Sequence, residues 1–267
     1  MRIGILCCSL VMAASAAGDA VAADWFTGRG SAAAPSDSGS IFATSPVASA
    51  PNDDNWIVAV DSSVSGTSQN SLFGNVVGTF AATGHLKQTG ARVRVDALAG
   101  SYSYKTTTAP IQSIRSTQMA GSGLVGYEWV SRNTTAAIYV GVAAQNVSLS
   151  TPDPLNKVQG TSIGAKISGE FYTRPSQNTM ASGYASYTTL HNSYYTRLKY
   201  GWAILDDTYV GPEVAVLGDA LYRQIRAGVH ITGFKVAGLQ FGISGGYVRD
   251  FKTGSGFYGI LDARFGF

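Results

Sequence analysis

From Trp56 onward, apolar and polar residues alternate with a period of two. Ile163, Ala165, Ile167, Gly169 and Phe171 fall on one side of such a run, and Gly164, Lys166, Ser168, Glu170 and Tyr172 on the other. Successive side chains of a strand point to opposite faces, so the run predicts a strand with one apolar and one polar face. The same division recurs where Ala91, Val93, Val95, Ala97 and Ala99 oppose Arg92, Arg94, Asp96, Leu98 and Gly100. It recurs again where Tyr194, Thr196, Leu198, Tyr200 and Trp202 oppose Tyr195, Arg197, Lys199, Gly201 and Ala203. A fourth case sets Leu239, Phe241, Ile243, Gly245 and Tyr247 against Gln240, Gly242, Ser244, Gly246 and Val248. The pattern predicts strands over 56–65, 70–82, 91–104, 117–131, 134–149, 160–174, 178–190, 193–205, 208–217, 221–232, 238–252 and 256–267, twelve in all.

The connections alternate in length. Ser131-Arg132-Asn133-Thr134 and Asp206-Asp207 are tight polar turns, whereas Lys105 to Gln112 and Thr151 to Gln159 (with Pro152, Asp153 and Pro154) are longer. No apolar run reaches the roughly 20 residues that a membrane-spanning helix needs. Strands can cross lipid only as a closed ring, because an open edge leaves backbone N–H and C=O groups unpaired there. An even strand number, apolar faces and short turns alternating with longer loops all fit that solution. The expected fold is therefore all-β: a transmembrane antiparallel up-and-down β-barrel of about twelve strands over residues 56–267.

The last strand is the most specific local signal. Phe257, Gly259, Leu261, Ala263, Phe265 and Phe267 alternate up to a terminal Phe. In a soluble sandwich this would be an exposed apolar edge, which soluble proteins avoid. It resembles the closing-strand signature that the outer-membrane assembly machinery recognises, with Phe265 and Phe267 as the candidate assembly signal.

Two segments precede the barrel. Residues 1–23 read as a signal peptide: Arg2, an apolar run from Ile3 to Ala17, then small residues up to Ala23. Residues 24–55 are rich in Ser, Ala and Pro, with Pro35, Pro46 and Pro51, and read as a flexible leader. Both cysteines, Cys7 and Cys8, lie in the signal. The mature chain then has no thiol for a disulfide, a metal site or a nucleophile, which suits transit through the oxidising periplasm of a Gram-negative cell. The expected destination is the bacterial outer membrane, with its lipid and its assembly machinery as partners.

Composition agrees with this picture. Charged residues are 13%, against about 25% in ordinary soluble domains. The net charge of +3 is too weak to point to nucleic acid. The chain is rich in Gly (32 residues) and Tyr (14), as strands that meet lipid tend to be.

The histidines carry little catalytic promise. His85 falls in a turn, His191 in a loop, and His230 on an inward face with Arg226, where it reads as a polar lumen residue. No metal-ligand spacing and no phosphate-binding loop occurs, and no cofactor is expected.

The recurring polar feature is a set of inward charges. Arg92, Arg94, Lys166, Arg197, Lys199, Arg226 and Arg264 face Asp96, Glu128, Glu170, Glu213 and Asp262. Together with His230 they are the candidate lumen lining, and two readings stay open. One is a ladder of ion pairs between neighbouring strands that fills a narrow lumen. The other is a selective pore. Twelve strands lie between the filled eight-stranded barrels and the open porins of 16 to 18, and a filled or constricted lumen is the expectation. Tyr102, Tyr104, Tyr127, Tyr184, Tyr187, Tyr247 and Tyr258, with Trp129 and Trp202, are read as aromatic belts at the membrane interfaces. Inward tyrosines such as Tyr139, Tyr172 and Tyr195 could instead stack on sugar rings.

Several stretches resemble the BcsS family of bacterial cellulose biosynthesis proteins. They are Gly-Leu-Val-Gly-Tyr-Glu-Trp-Val (123–130), Ala-Ile-Tyr-Val-Gly-Val (137–142) and Leu-Ser-Thr-Pro-Asp-Pro (149–154), continuing through Gly160 to Tyr172 with Gly164, Lys166 and Glu170. Further on come Tyr194 to Gly201, Val210-Gly211-Pro212-Glu213, Leu217-Gly218-Asp219, Gln224 to Gly228 and Ser244 to Tyr247. The resemblance runs from about Leu72 to the C-terminus; the Pro-rich stretch after Trp25-Phe26-Thr27-Gly28 departs from it. It implies a role in making or exporting cellulose and carries over no catalytic residues; with the barrel pattern it makes a non-enzymatic outer-membrane component the leading expectation, with cellulose or its secretion components as partners. The alternatives are a general porin for small solutes and a barrel-embedded lipid hydrolase. The hydrolase would need a Ser or Thr within hydrogen-bond reach of a His on the lipid-facing rim.

Overall fold

The computed structural model describes residues 56–105, 113–153, 156, 158–205, 207–220, 223–236, 239–251 and 254–267. The signal and leader expected over 1–55 lie outside the described residues. Twelve strands follow one another: β1 (Val58–Thr67), β2 (Ser71–Ala81), β3 (Gly90–Lys105), β4 (Ser113–Val130), β5 (Thr134–Leu149) and β6 (Gly160–Ser176). The second half is β7 (Thr179–Thr188), β8 (Ser193–Leu205), β9 (Thr208–Gly218), β10 (Arg223–Val236), β11 (Leu239–Asp250) and β12 (Gly254–Gly266). Each strand pairs antiparallel with its sequence neighbours, and β1 pairs with β12 from Ala59–Gly266 to Thr67–Tyr258, closing the ring. Closure removes both sheet edges, so the apolar terminal strand is a seam and not an exposed edge.

The alternation has the consequence expected of it. Outward side chains are exposed and apolar, as at Val95, Val125, Val142 and Ile163. Inward ones are buried and polar, as at Arg94, Gln118, Lys166 and Arg197. This is a soluble protein turned inside out, the arrangement that lipid around a β-barrel demands.

Strand positions match the sequence reading closely; β5 and β8 coincide with it. β1 begins two residues later than expected, because Trp56 packs against Gly266 and stays out of the ladder. β4 begins at Ser113, four residues earlier, because it continues pairing with the far end of β3 as far as Lys105–Ser113. β3 to β6 hold 16–18 residues each, against 10 or 11 for β1, β2, β7 and β9. One wall therefore stands taller than the rest.

β4 and β8 end on the side of the barrel where β12 ends, the terminus end, and β3 and β5 end on the opposite side, the loop end. Segment 82–89 departs from the short-turn pattern of the terminus end. Its His85 and Leu86 carbonyls, with that of Gln88, accept from Arg92 Nη2, and Leu86 N donates to Trp56 O at 2.7 Å. The segment is held across the inner edge of the barrel mouth by a side chain reaching out of the lumen.

Candidate functional site: a bridged lumen with a neutral upper wall

All thirteen residues expected to line the lumen project inward. Arg92, Arg94, Asp96, Glu128, Lys166, Arg197, Lys199, Glu213, Arg226, His230 and Arg264 are buried, and Glu170 and Asp262 are half-buried. Their pairing corrects one expectation. Some partners do sit on neighbouring strands, as Arg92 with Glu128 (2.5 Å), Arg197 with Glu213 (2.7 Å) and Arg264 with Asp61 (3.7 Å). Others reach further round the ring. Arg94 on β3 meets Glu170 on β6 at 2.7 Å, and Lys166 on β6 meets Asp96 on β3 at 3.2 Å. Arg197 and Lys199 on β8 meet Asp262 on β12 at 3.4 and 3.1 Å. With Lys199 also 3.8 Å from Glu213 on the neighbouring strand, the lumen holds both pairs along the wall and bridges over its interior.

Glycine explains how such spans are possible. Between Arg94 and Lys166 along the paired row stand only Leu124 and Gly141. Inward Gly126 lets the Tyr139 ring lie flat on the wall, and the Arg94 guanidinium sits 3.8 Å above that ring. A Cβ at Gly126 would collide with the ring. Between Glu213 and Tyr258 stand Gly228 and Gly246, over which Tyr258 reaches to donate to Glu213 Oε1 at 3.1 Å. Ser244 completes this second cluster, accepting from Arg197 at 2.9 Å and donating to Glu213 Oε2 at 2.8 Å. In the first cluster Ser122 does the same between Lys166 and Asp96. Buried charges are tolerated when they are paired, and each charge of the two clusters faces an opposite one, although Arg197 Nε and Nη1 and Asp262 Oδ1 keep no hydrogen-bond partner.

An apolar group joins the two charged clusters. Val77 on β2 packs with Tyr184, Tyr195 and Leu217 on β7, β8 and β9, at least five strands away on the ring. Opposite walls therefore touch. Side chains fill the interior at this level, as in smaller barrels.

The aromatic reading needs a second correction. Tyr127, Trp129, Tyr187, Trp202 and Tyr247 do face outward and are exposed, but Tyr184 and Tyr258 are buried inside. Tyr104 also belongs with the interior: its hydroxyl donates to Asp153 Oδ2 at 2.9 Å and accepts from Asn156 at 2.8 Å. A tyrosine suits either face, since its ring packs on apolar atoms and its hydroxyl bonds polar ones. Of the tyrosines read as inward, Tyr139, Tyr172 and Tyr195 are all buried there.

His230 holds Thr232 Oγ1 at 2.9 Å through Nδ1 and Tyr200 O at 3.1 Å through Nε2. A hydroxyl within reach of a histidine is half of the hydrolase condition, but both side chains are buried inside the barrel, away from the lipid-facing rim. His191 sits in the 3-10 turn Leu190–Asn192, and His85 in segment 82–89. Among the described residues no group of His, Cys, Asp and Glu could hold a metal ion. Phe265 and Phe267 stack at 6.1 Å beside the seam with β1.

Sequence reasoning passed over two features. Asp61, the partner of Arg264, was hidden by the uncertain start of the first strand; the alternation of Asp61, Ser63 and Ser65 against Val60, Ser62 and Val64 marks it as inward. The second is a wall of neutral amides on β2 to β5 at the loop end, described below, which a search for charges could not find.

Among solved structures, the chain is similar to the KdgM porin, at 8% identity and a TM-score of 0.42 over 78% of this chain and 99% of that one. A KdgM porin in complex with disordered oligogalacturonate gives 10% identity and a TM-score of 0.43, over 78% and 99%. The TodX deltaS2S3 mutant, a monoaromatic hydrocarbon channel, gives 6% and 0.42 over 79% and 89%. No curated protein matches the chain. The family model described as cellulose biosynthesis protein BcsS matches residues 64–267, which is the barrel from within β1 to its last residue. By that match, the chain belongs to the BcsS family of cellulose biosynthesis proteins.

Proposed function

We propose that this chain is a non-enzymatic outer-membrane barrel that serves the export or anchoring of bacterial cellulose, holding or organising the polymer at the membrane without turning over a substrate. Family membership supplies the polymer. The observation that carries the mode of action is the bridged interior, where Arg94–Glu170 and Lys199–Asp262 pairs span several strands and Val77 reaches the facing wall. Such an interior suits a scaffold better than a free diffusion pore. The apolar outer surface and the outward Trp129, Trp202 and Tyr247 support the outer-membrane location.

Deleting the gene and measuring secreted and cell-attached glucan tests this function. Loss of polymer yield or attachment is expected, and full retention of both contradicts the proposal. The hydrolase reading is disfavoured by the interior position of His230 and Thr232, and the porin reading by the bridges.

A further inference from the structure

At the loop end the inner wall changes character. Two adjacent rows of paired inward residues cross β1 to β6: Ser63, Asn75, Leu98, Ala120, Gln145 and Ser162, then Ser65, Phe73, Gly100, Gln118, Val147 and Gly160. Neither row holds a charge. The next row towards the terminus end already contains Asp61 and Asp96.

Three amide atoms in these rows are buried and have no hydrogen-bond partner: Asn75 Nδ2, Gln118 Nε2 and Gln145 Oε1. The three side chains are each more than nine-tenths buried. Buried polar groups are ordinarily paired, so two donors and an acceptor left open on one patch of wall call for a partner. Gln118 and Gln145 are diagonal neighbours across β4 and β5, close enough to act on one ligand. Phe73 lies flat across Gly100, beside Gln118, and adds an apolar plate to the patch. Ser63, Ser65, Ala120 and Ser162 in the same rows are small side chains, and Ala120 packs against the Val77 group at the lower edge of the patch.

We propose that this wall is a binding site for a segment of an uncharged, hydroxyl-rich sugar chain. Amides match hydroxyl groups as paired donors and acceptors, and an aromatic plate matches the C–H face of a pyranose ring. A polyanionic sugar is excluded because the nearest cations, Arg94 and Lys166, are already held by Glu170 and Asp96. The inference deepens the cellulose reading and rests on it for the choice of glucan as the probe.

The test uses the folded mature protein in detergent micelles, titrated with cellohexaose and, separately, with oligogalacturonate of the same length. Saturable cellohexaose binding is expected, weakened at least tenfold by Gln118→Leu with Gln145→Leu, while oligogalacturonate binds at least tenfold more weakly. Heat-modifiable gel mobility checks that the variant is folded; should the double variant fail to fold, Asn75→Ala carries the comparison. Absence of cellohexaose binding, unchanged affinity in the folded variants, or equal binding of the charged sugar overturns the proposal. Gene deletion separates this from the functional reading. Lost glucan with no sugar binding sinks only the site, and sugar binding with unchanged glucan sinks only the function.

Discussion

The two ends of the lumen solve the same problem in opposite ways. Towards the terminus end and the middle, polar side chains are charged and answer one another, as Arg197, Lys199, Glu213, Ser244 and Asp262 do within a few ångströms. Towards the loop end on β2 to β5 they are neutral, and Asn75, Gln118 and Gln145 have neither an ion pair nor a partner for one amide atom each. The charges are joined by ion pairs that hold strands in place, even though single atoms of Arg197 and Asp262 keep no hydrogen bond. An unmatched set of amides contributes little to holding the fold and is available to a ligand. Stability and recognition are thus assigned to different levels of one barrel.

Substitutions that break this contrast should fall in a definite order. The largest effect is expected for Glu213→Gln, which leaves the buried Arg197 and Lys199 to share the half-buried Asp262 as their carboxylate. Breaking a buried pair typically costs about 3–5 kcal/mol. Urea unfolding of the refolded protein from lipid vesicles, followed by tryptophan fluorescence, measures it. A loss below about 1 kcal/mol, the level of exposed pairs, would mean the cluster does not hold the barrel. Next comes Gly126→Val, which forces Tyr139 off the wall and away from Arg94. Overpacking of this kind costs about 1–3 kcal/mol in the same assay. An unchanged midpoint would contradict the role given to the inward glycine.

Gln118→Leu is expected to be the least harmful inside the lumen, neutral or stabilising, because it removes an open donor and no bond. A loss as large as that of Gly126→Val would show that the amide is paired after all. Phe267→Ala is expected to change the unfolding midpoint least, since the ring stands on the exposed outer surface. Its effect belongs to assembly: the level of membrane-inserted protein in cells should fall while refolding into vesicles is unchanged. Equal insertion in cells would remove Phe267 from the assembly signal.

Most of the architecture was legible in the chain because a period of two is a backbone property. The alternation at Ala91–Gly100 and Ile163–Tyr172 fixes which side chains face in, whatever the partners are. Which inward charges meet was not legible. Arg94 bonds Thr79 on the neighbouring β2 but finds its carboxylate, Glu170, on β6, past the inward Leu124 and Gly141 of β4 and β5. The tyrosines divided for a related reason: Tyr187 and Tyr184 are both acceptable at a membrane interface, but they differ in parity and only one faces lipid. The amide wall was missed because Asn75, Gln118 and Gln145 look ordinary one at a time. Their meaning lies in being adjacent and unpaired, which only strand register reveals.

The central claim is that side chains bridge the interior, so that the barrel is a scaffold and not an open pore. Conductance of the folded mature protein in planar lipid bilayers tests it most directly. The account predicts silent membranes after insertion, with conductance gained when Glu213→Gln or Gly126→Val loosens the interior. A steady, ohmic, porin-like conductance from the unaltered protein would contradict it.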